Sequence, residues 1–578
     1  MTPISDIIDH AMQWVQADPD PETQRELLDL TSRAEGDEAA AAQLRDRFSG
    51  HLQFGTAGLR AALGAGPMRM NRAVVIRAAY GVAEYLTERA TKENWGTKVR
   101  AVIGYDARTK SDAFARDTAA VFTAAGMDAF LMPLALPTPV LAWATRLLKA
   151  DVGVMVTASH NPPADNGYKV YLGGRAVGED ARGAQIVPPT DADIAGKIAA
   201  APPADQIERS ASGWTMLPER IARDYEHEVT SLIPGIAPDQ RSLRVVLTPM
   251  HGVGGEVMSF VLARAGFDKL HVVPEQALPN PKFPTVAFPN PEEPGAMDLA
   301  LELARDRDAD LVIANDPDAD RAAFAIPDAR REGGWRILRG DEVGAILGRV
   351  MLERIPSTGG ARPFFANSIV SSRLLGAMAT AHGVGHQQTL TGFKWIARVQ
   401  GLVYGYEEAL GYCVAPDLVK DKDGISAALV LADHAAKLKD AGKSLLDVLD
   451  DIALQHGVYA TDQLSVRVDD LARIDAMMQR LRSKAPERLA GSPVVEYRDL
   501  SEGSKDLPPT DGILLLTEDD SRVIVRPSGT EPKLKCYLEA IVPVAEPGEL
   551  ENSRATASAR LADLRLDVTR ALGVDTES

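Results

Sequence analysis

Short apolar, β-branched runs alternate along this chain with polar turns and longer Ala/Leu-rich stretches of helical period, a rhythm that predicts parallel strands covered by helices. The clearest units are a strand at Arg100–Gly104 leading to a helix near Ala113–Ala125, a strand at Asp151–Val156, a strand at Arg244–Leu247 leading to a helix at Glu256–Ala265, and a strand at Asp310–Ala314. Residues 1–48 are instead polar and helix-prone, with Leu27, Leu28 and Leu30 as the expected inner face of a helical lead-in. After Asp451 the texture changes again. Strands are expected at Gln463–Val468, Gly512–Thr517 and Arg522–Val525, with a helix at Leu471–Leu481 and a closing amphipathic helix from Asn552 to Leu572, which together predict a small α+β domain. The stretches Ala199–Asp205 and Pro279–Pro294 read as linkers or long surface loops, the first as a domain boundary.

Composition narrows the class. A chain of 578 residues, 45% apolar and 25% charged, is globular and long enough for about four domains. Its formal charge of −18 repels nucleic acid and anionic membrane surfaces, so neither is an expected partner, and an anionic ligand needs a locally positive pocket. Cys413 and Cys536 are too few for a disulfide framework or a four-thiolate zinc site. The N-terminus shows neither a basic region nor an apolar one, so no secretory signal is expected and the cytoplasm is the expected location. The uncharged run Ala129–Thr145, broken by Pro133, Pro137 and Pro139, is short for a membrane span and is expected to be buried strand and loop.

Two familiar signals fail on their residues. Gly442-Lys443-Ser444 resembles the end of a Walker A loop, but Lys437 stands where the first glycine is required; Gly252-Val253-Gly254-Gly255 lacks the third glycine of a dinucleotide fingerprint. Asp316-Pro317-Asp318-Ala319-Asp320-Arg321 is more telling. In an extended segment, alternation turns its three carboxylates to one side, where they repel unless a cation sits between them, and hard oxygen donors of this kind suit Mg²⁺. Arg321 in place of the loop glycine and Pro327 in place of the terminal glutamate exclude an EF-hand.

In Thr157-Ala158-Ser159-His160-Asn161-Pro162-Pro163, Ser159 is presented at a strand's C-terminal end, where open α/β sheets bind ligands, and is a candidate nucleophile; His160 beside it could tune a proton or bind a phosphoryl oxygen, and Lys169 follows. Arg526-Pro527-Ser528-Gly529-Thr530-Glu531-Pro532 offers a guanidinium fork, two hydroxyls and an accessible backbone N–H, a phosphate clamp in outline. Gly55-Thr56-Ala57-Gly58-Leu59-Arg60 could deliver Arg60 to an anion, and Gly405-Tyr406-Glu407-Glu408-Ala409-Leu410-Gly411 could present a carboxylate to sugar hydroxyls. Singly, each of these also reads as a plain turn or a solvated acidic loop.

In chain order, Gly-Thr-Ala-Gly-Leu-Arg, Thr-Ala-Ser-His-Asn-Pro-Pro, Asp-Pro-Asp-Ala-Asp-Arg, Glu-Glu-Ala-Leu-Gly and Arg-Pro-Ser-Gly-Thr-Glu-Pro resemble the loops of the α-D-phosphohexomutase family, from about Phe54 to Pro532. The resemblance implies a four-domain, heart-shaped α/β architecture: three related α/β domains with mixed sheets and a smaller C-terminal α+β domain. It places a helical lead-in at 1–48, domain I with the phosphoserine loop at 49–215, domain II with the metal loop at 216–330, domain III with the sugar loop at 331–455 and domain IV with the phosphate-binding loop at 456–578. By the same resemblance Ser159 would carry a phosphoryl group, and Ser159, Asp316, Asp318 and Asp320 would hold Mg²⁺. Arg60, His160 and Lys169 would line the transfer site, while Arg321, Lys394, Glu407, Arg526, Ser528, Gly529 and Thr530 would bind substrate.

The implied activity is an intramolecular phosphotransferase that interconverts the 1- and 6-phosphates of glucose or mannose through a phosphoserine enzyme and a bisphosphate intermediate. Glucose 1,6-bisphosphate would be its activator, a small sugar phosphate its partner, and a monomer or homodimer its state. The chain departs from commoner members in two places: Ala409 stands where many have serine, and Phe393 follows Thr391-Gly392 where some have histidine. The Glu-Glu-Ala-Leu-Gly form is similar to a branch with phosphoglucomutase, phosphopentomutase and glucose-bisphosphate-forming members, so the latter two activities stand as alternatives. A metal-dependent phosphatase with a serine nucleophile and a non-catalytic sugar-phosphate binder are rival readings. The first has no use for a distal clamp, and the second has none for an intact Ser159.

Overall fold

The strand–helix rhythm resolves into four sheets in the computed structural model, which describes residues 3–234, 241–355, 362–468, 470–505, 507–528 and 533–574. Contacts divide the chain into two compact units, Met1–Leu338 with Leu410–Ala436, and Arg339–Ala409 with Lys437–Ser578.

The first unit opens with the helices Ile4–Ala17, Pro21–Arg33 and Glu38–Arg47, which bury Ile7, Ala11, Leu27, Leu30 and Leu44 against one another. Leu28, expected on the inner face, is 42% exposed. The reason is angular: on a helix Leu27 and Leu30 share a face, and Leu28, the next residue after Leu27, turns about 100° away.

Next comes a mixed sheet in the order Leu59–Ala62, Asp165–Leu172, Val152–Val156, Arg100–Tyr105, Asp128–Leu131, Thr215–Met216. Arg100–Tyr105 runs parallel to both of its neighbours, whereas Asp165–Leu172 is antiparallel to Val152–Val156 and to Leu59–Ala62. The fully buried strand Val152–Val156 is all apolar apart from Gly153, as expected of a strand covered on both faces. The run Ala129–Thr145 is not strand and loop: a strand ends at Leu131, and a helix spans Thr138–Leu147. Pro137 and Pro139 start that helix rather than break it, because first-turn positions need no donated N–H and proline's fixed φ already suits them. The stretch Ala199–Asp205 packs into the same core through Ala201 and Ala204.

The second sheet of this unit runs Trp335–Ile337, Ala322–Pro327, Leu311–Asn315, Val245–Thr248, Leu270–Val272. Its central pair, Leu311–Asn315 and Val245–Thr248, is parallel, and Ala322–Pro327 returns antiparallel after the acidic loop.

In the second unit Gly385–Thr389, Phe364–Ser368 and Leu402–Glu407 are parallel. Residues Val458–Arg467, Lys533–Val542, Arg522–Pro527, Ile513–Thr517, Ser492–Asp499 and Arg488–Leu489 form an antiparallel sheet in that order. Helix Leu550–Leu572 lays Leu561, Leu564, Val568 and Leu572 on it. Each such burial stabilises by about 1.5–3 kcal/mol. Gly442-Lys443-Ser444 is a helix boundary: Ser444 caps helix Leu445–His456 in a reciprocal box with Asp447. Both cysteines are buried core residues, and burial pushes each thiol up to about 12.

Candidate active site

Ser159 lies three residues beyond strand Val152–Val156, at φ +52°, with its backbone N–H donating to Thr157 Oγ1 at 2.9 Å. This left-handed residue is buried and pinned from outside its loop. The guanidinium of Arg108 donates to the carbonyls of Ser159 and Asn161 at 2.6 Å each and to those of Pro162 and Asp165 at 2.8 and 3.1 Å. Ser159 Oγ donates to Asp316 Oδ2 at 2.9 Å and lies 3.2 Å from His160 Nδ1.

The three aspartates converge by a route other than strand alternation. Ala319 takes φ +53° and its N–H donates to the Asp316 carbonyl at 2.9 Å, so the segment is a turn. It still brings a carboxylate oxygen from each of Asp316, Asp318 and Asp320 within 4.8 Å of one another, all buried. The turn rests on the glycine loop that fails as a dinucleotide motif. A Cβ on Gly252 would lie 2.5 Å from Pro317 Cα, a Cβ on Gly254 would lie 2.8 Å from Ala319 Cβ, and Val253 N–H donates to the Pro317 carbonyl at 2.9 Å. Glycine is therefore needed there for close approach of two loops.

Cations and donors surround the triad. Lys169 Nζ, carried on strand Asp165–Leu172, lies 2.8 Å from Asp318 Oδ2 and 3.1 Å from Asp320 Oδ2. Lys422 Nζ lies 3.1 Å from Asp320 Oδ2. Thr138, the first residue of helix Thr138–Leu147, donates Oγ1–H to Asp318 Oδ2 at 2.6 Å and its N–H to the Asp318 carbonyl at 2.9 Å. Arg60 reaches Asn161 Oδ1 at 3.1 Å, and Arg321 Nε stands 3.8 Å from Asp320 Oδ1.

Burial, then the charges of Asp318 and Asp320, raise the Asp316 carboxyl well above the ordinary range. Burial acts the same way on its two neighbours, but Lys169 holds Asp318 below its ordinary value, and Lys169 with Lys422 and Arg321 holds Asp320 far below. For Lys169 the cost of burial is outweighed by the same two carboxylates, and its pKa is raised. Among the described residues, Asp318 Oδ1 and Asp320 Oδ1 are buried without a hydrogen-bond partner. Two buried anionic oxygens are costly unless something binds them, and an oxygen-seeking divalent cation is what such a donor set fits.

Three members of this cluster escape a motif search. Arg108 follows a strand as a lone arginine, and Thr138 hides between prolines. Lys422 belongs to Lys420-Asp421-Lys422-Asp423, which reads as a solvated charge run yet is entirely buried. The available signal was its position directly before the apolar helix Gly424–Asp440. Gly411, the last residue of the Glu-Glu-Ala-Leu-Gly loop, makes room for Lys422: a Cβ there would sit 2.3 Å from Lys422 Cδ.

The remaining candidates belong to the second unit. Glu407 ends strand Leu402–Glu407, is partly buried, and accepts from Gly392 N–H at 2.6 Å. Lys394 lays its stem over Gly392, where a Cβ would meet its Cε at 3.1 Å, while Trp395 packs on the cluster of Ile369, Leu390 and Tyr537. Arg526 is partly buried near the end of strand Arg522–Pro527, and Ser528 N–H donates to the Lys533 carbonyl at 2.8 Å. Gly529 and Thr530 lie outside the described residues.

A buried serine facing a carboxylate triad and several cations is a centre suited to moving phosphoryl groups. Family models for phosphoglucomutase/phosphomannomutase match four successive segments: α/β/α domain I at residues 51–201, domain II at 223–330, domain III at 339–454, and the C-terminal domain at 465–556. The chain belongs to the phosphoglucomutase/phosphomannomutase family and is a phosphosugar mutase of four-domain α/β architecture. It is 46% identical over 475 residues to a Haemophilus influenzae protein named "Probable phosphomannomutase", covering 82% of this chain and 93% of that one. It is also 36% identical over 603 residues to a Saccharomyces cerevisiae phosphoribomutase, covering 93% of each. The fold is similar to that of the Paramecium phosphoprotein parafusin, a phosphoglucomutase, with TM-score 0.65, 18% identity and coverage of 90% and 96%. Among the described residues no helix is long and apolar enough to cross a membrane.

Proposed function

We propose that this enzyme interconverts the 1- and 6-phosphates of glucose and mannose through a phosphorylated Ser159 and a sugar bisphosphate. The observation that carries the reading is Ser159 Oγ 2.9 Å from Asp316, inside a triad with two unsatisfied carboxylate oxygens. Asp316, Asp318 and Asp320 would hold Mg²⁺, which supplies charge neutralisation for the phosphoryl oxygens when bound.

In the first transfer the free hydroxyl of the sugar phosphate attacks phosphorus, the Ser159 Oγ–P bond breaks, and the proton lost by the hydroxyl balances the one gained by Oγ. His160 Nδ1 and Asp316 Oδ2, 3.2 and 2.9 Å from Oγ, are the groups placed to pass that proton. Lys169, Arg60 and Arg321 supply positive charge where the equatorial oxygens gather negative charge. The bisphosphate then turns over and returns its other phosphate to Ser159. Arg526 and Ser528 hold the phosphate that is not being transferred, with Lys394 as a second cation, and Glu407 accepts hydrogen bonds from sugar hydroxyls. Glucose 1,6-bisphosphate would serve as activator by loading Ser159. A pentose phosphate is the second reading, supported by the yeast phosphoribomutase at 36% identity.

Incubation with glucose 1,6-bisphosphate labelled in phosphorus, followed by peptide mapping, tests the mechanism. The label is expected on the peptide containing Ser159, in amounts that fall when glucose 1-phosphate is added. Label on another residue, or none, would reject the phosphoserine route.

A further inference from the structure

A cavity of about 620 Å³ in the first unit, which plays no part in the proposed mechanism, is lined by Arg100, Arg146, Lys149, Arg175 and Arg182, with Glu179 as its acidic member. Five cations around one hollow are unexpected in a protein of net charge −18. Arg175 is a fixed wall: it pairs with Asp151 at 2.6 Å and stacks on Trp95 at 4.7 Å. The other guanidinium groups are oriented by backbone carbonyls. Arg146 donates to the Arg182 carbonyl at 2.6 Å and the Asp417 carbonyl at 3.0 Å, Arg182 to Gly174 at 3.0 Å, and Arg100 to Leu148 at 3.4 Å. A carbonyl aims a guanidinium without neutralising it, so the charge is left for a ligand to balance. Burial above all holds the Arg146 pKa below the ordinary value, with Arg182 acting the same way and Asp417, Cys413 and Glu179 pulling against it.

The place is distinct from the triad. Thr138 and Arg146 stand at opposite ends of helix Thr138–Leu147, about 12 Å apart along its axis. We propose that this cavity is a second anion site for a small organic molecule bearing two or more phosphate groups. The volume falls in the range of ordinary small-molecule pockets, about 300–1,000 Å³. Glu179 in the lining can accept from a hydroxyl of such a ligand.

The test is calorimetric titration of the full chain, without divalent metal, using inorganic pyrophosphate. The R100A/R182A double variant removes two exposed arginines, and R220A/R264A removes the same charge from exposed positions elsewhere. One class of pyrophosphate site should weaken at least about tenfold in the first variant and persist in the second, consistent with the loss of charge-assisted bonds. Adenosine diphosphate and fructose 1,6-bisphosphate then distinguish a nucleotide from a sugar carrier, and displacement of pyrophosphate from that class by either supports the proposal. Wild-type binding in R100A/R182A, equal loss in R220A/R264A, or displacement by neither compound would overturn it.

Discussion

Two buried charged clusters, one in each compact unit, are finished in opposite ways. In the second unit Glu539 is saturated: Oε1 accepts from Ser372 Oγ and Arg373 N–H at 2.8 Å each, Oε2 accepts from Arg373 Nε at 2.6 Å, and Arg522 Nη2 stands 3.3 Å away. Arg522 in turn donates to the carbonyls of Ile369 and Ser371 at 2.9 and 2.7 Å, so the cluster ties strand Arg522–Pro527 to the segment after strand Phe364–Ser368. In the first unit the triad is as deeply buried, yet among the described residues Asp318 Oδ1 and Asp320 Oδ1 have no hydrogen-bond donor. The saturated Glu539 is scaffold, whereas two open oxygens converging in one buried triad fit a cation that the chain does not itself supply.

The largest effect expected from breaking this contrast comes at the serine beside the open cluster. Ser159→Ala should lower turnover by about 10⁴-fold or more, the scale seen when a covalent nucleophile is removed, with its melting temperature close to that of the wild type. Turnover near the wild-type rate would mean that the triad serves some other acceptor. Asp318→Asn should cost less, about 10³-fold in kcat, because one ligand of three is lost and several kcal/mol of charge stabilisation go with it. It should also weaken Mg²⁺ binding, measured by titrating activity after chelation. Full activity in excess chelator would remove the metal from the account.

Glu539→Gln reverses the pattern. Removing the one carboxylate that pairs with both Arg373 and Arg522 leaves two buried guanidinium groups without it, and should cost about 3–5 kcal/mol of stability while kcat stays near wild type at permissive temperature. Its pH dependence has a definite sign. Arg522 and Arg373 hold the Glu539 carboxyl below 4.5 despite burial, so its contribution is fully present above that value and is lost as pH falls through the lower, folded-state pKa. The gap in melting temperature between wild type and variant should therefore close on the acid side. A constant gap would show that Glu539 is held by packing rather than by charge.

Legibility in the sequence followed the same division. The triad, Ser159 and Lys169 could be picked out because their residue types are rare beside buried strands and sit within a few positions of strand ends. Strand and helix positions were legible to within a few residues, as at Val245–Thr248 and Leu311–Asn315, because their apolar runs are uninterrupted. What could not be read was whatever a distant segment supplies. Arg108 buttresses the Ser159 loop from 51 residues away, and Thr138 meets Asp318 across 180. Gly252 and Gly411 are glycines because of Pro317 and Lys422, which no local pattern announces. The helix Thr138–Leu147 is hidden for a different reason: prolines in a first turn carry the same letters as prolines in a loop.

The candidate substrate loops are less enclosed than either cluster, and smaller effects are expected there. Arg526 is partly buried, and Arg526→Ala should raise KM for glucose 1-phosphate by about 10-fold or more, the cost of a charge-assisted hydrogen-bond pair, with a smaller fall in kcat. Unchanged KM would place the clamp elsewhere.

The smallest effect concerns which sugar is used. Glu407 is the side chain of the Glu-Glu-Ala-Leu-Gly loop proposed to meet sugar hydroxyls, since Glu408 already accepts from Ser371 Oγ at 2.8 Å and Ser368 Oγ at 3.1 Å. One carboxylate of that kind can read hydroxyls shared by glucose and mannose but has no means of telling C2 epimers apart, and Ala409 offers no hydroxyl of its own. A site discriminates strongly only when the wrong substrate leaves a buried polar group unpaired, and otherwise by a factor of about 10–200. Glu407, already held by Gly392 N–H, is only partly buried and so has water as an alternative partner. The specificity constants for glucose and mannose 1-phosphates should thus differ by about tenfold or less, with ribose 1-phosphate accepted more slowly because it makes fewer contacts. Side-by-side measurement of the three decides the matter: rejection of one epimer by several orders of magnitude would mean that a buried donor or acceptor reads C2, and that Glu407 is not the principal selector.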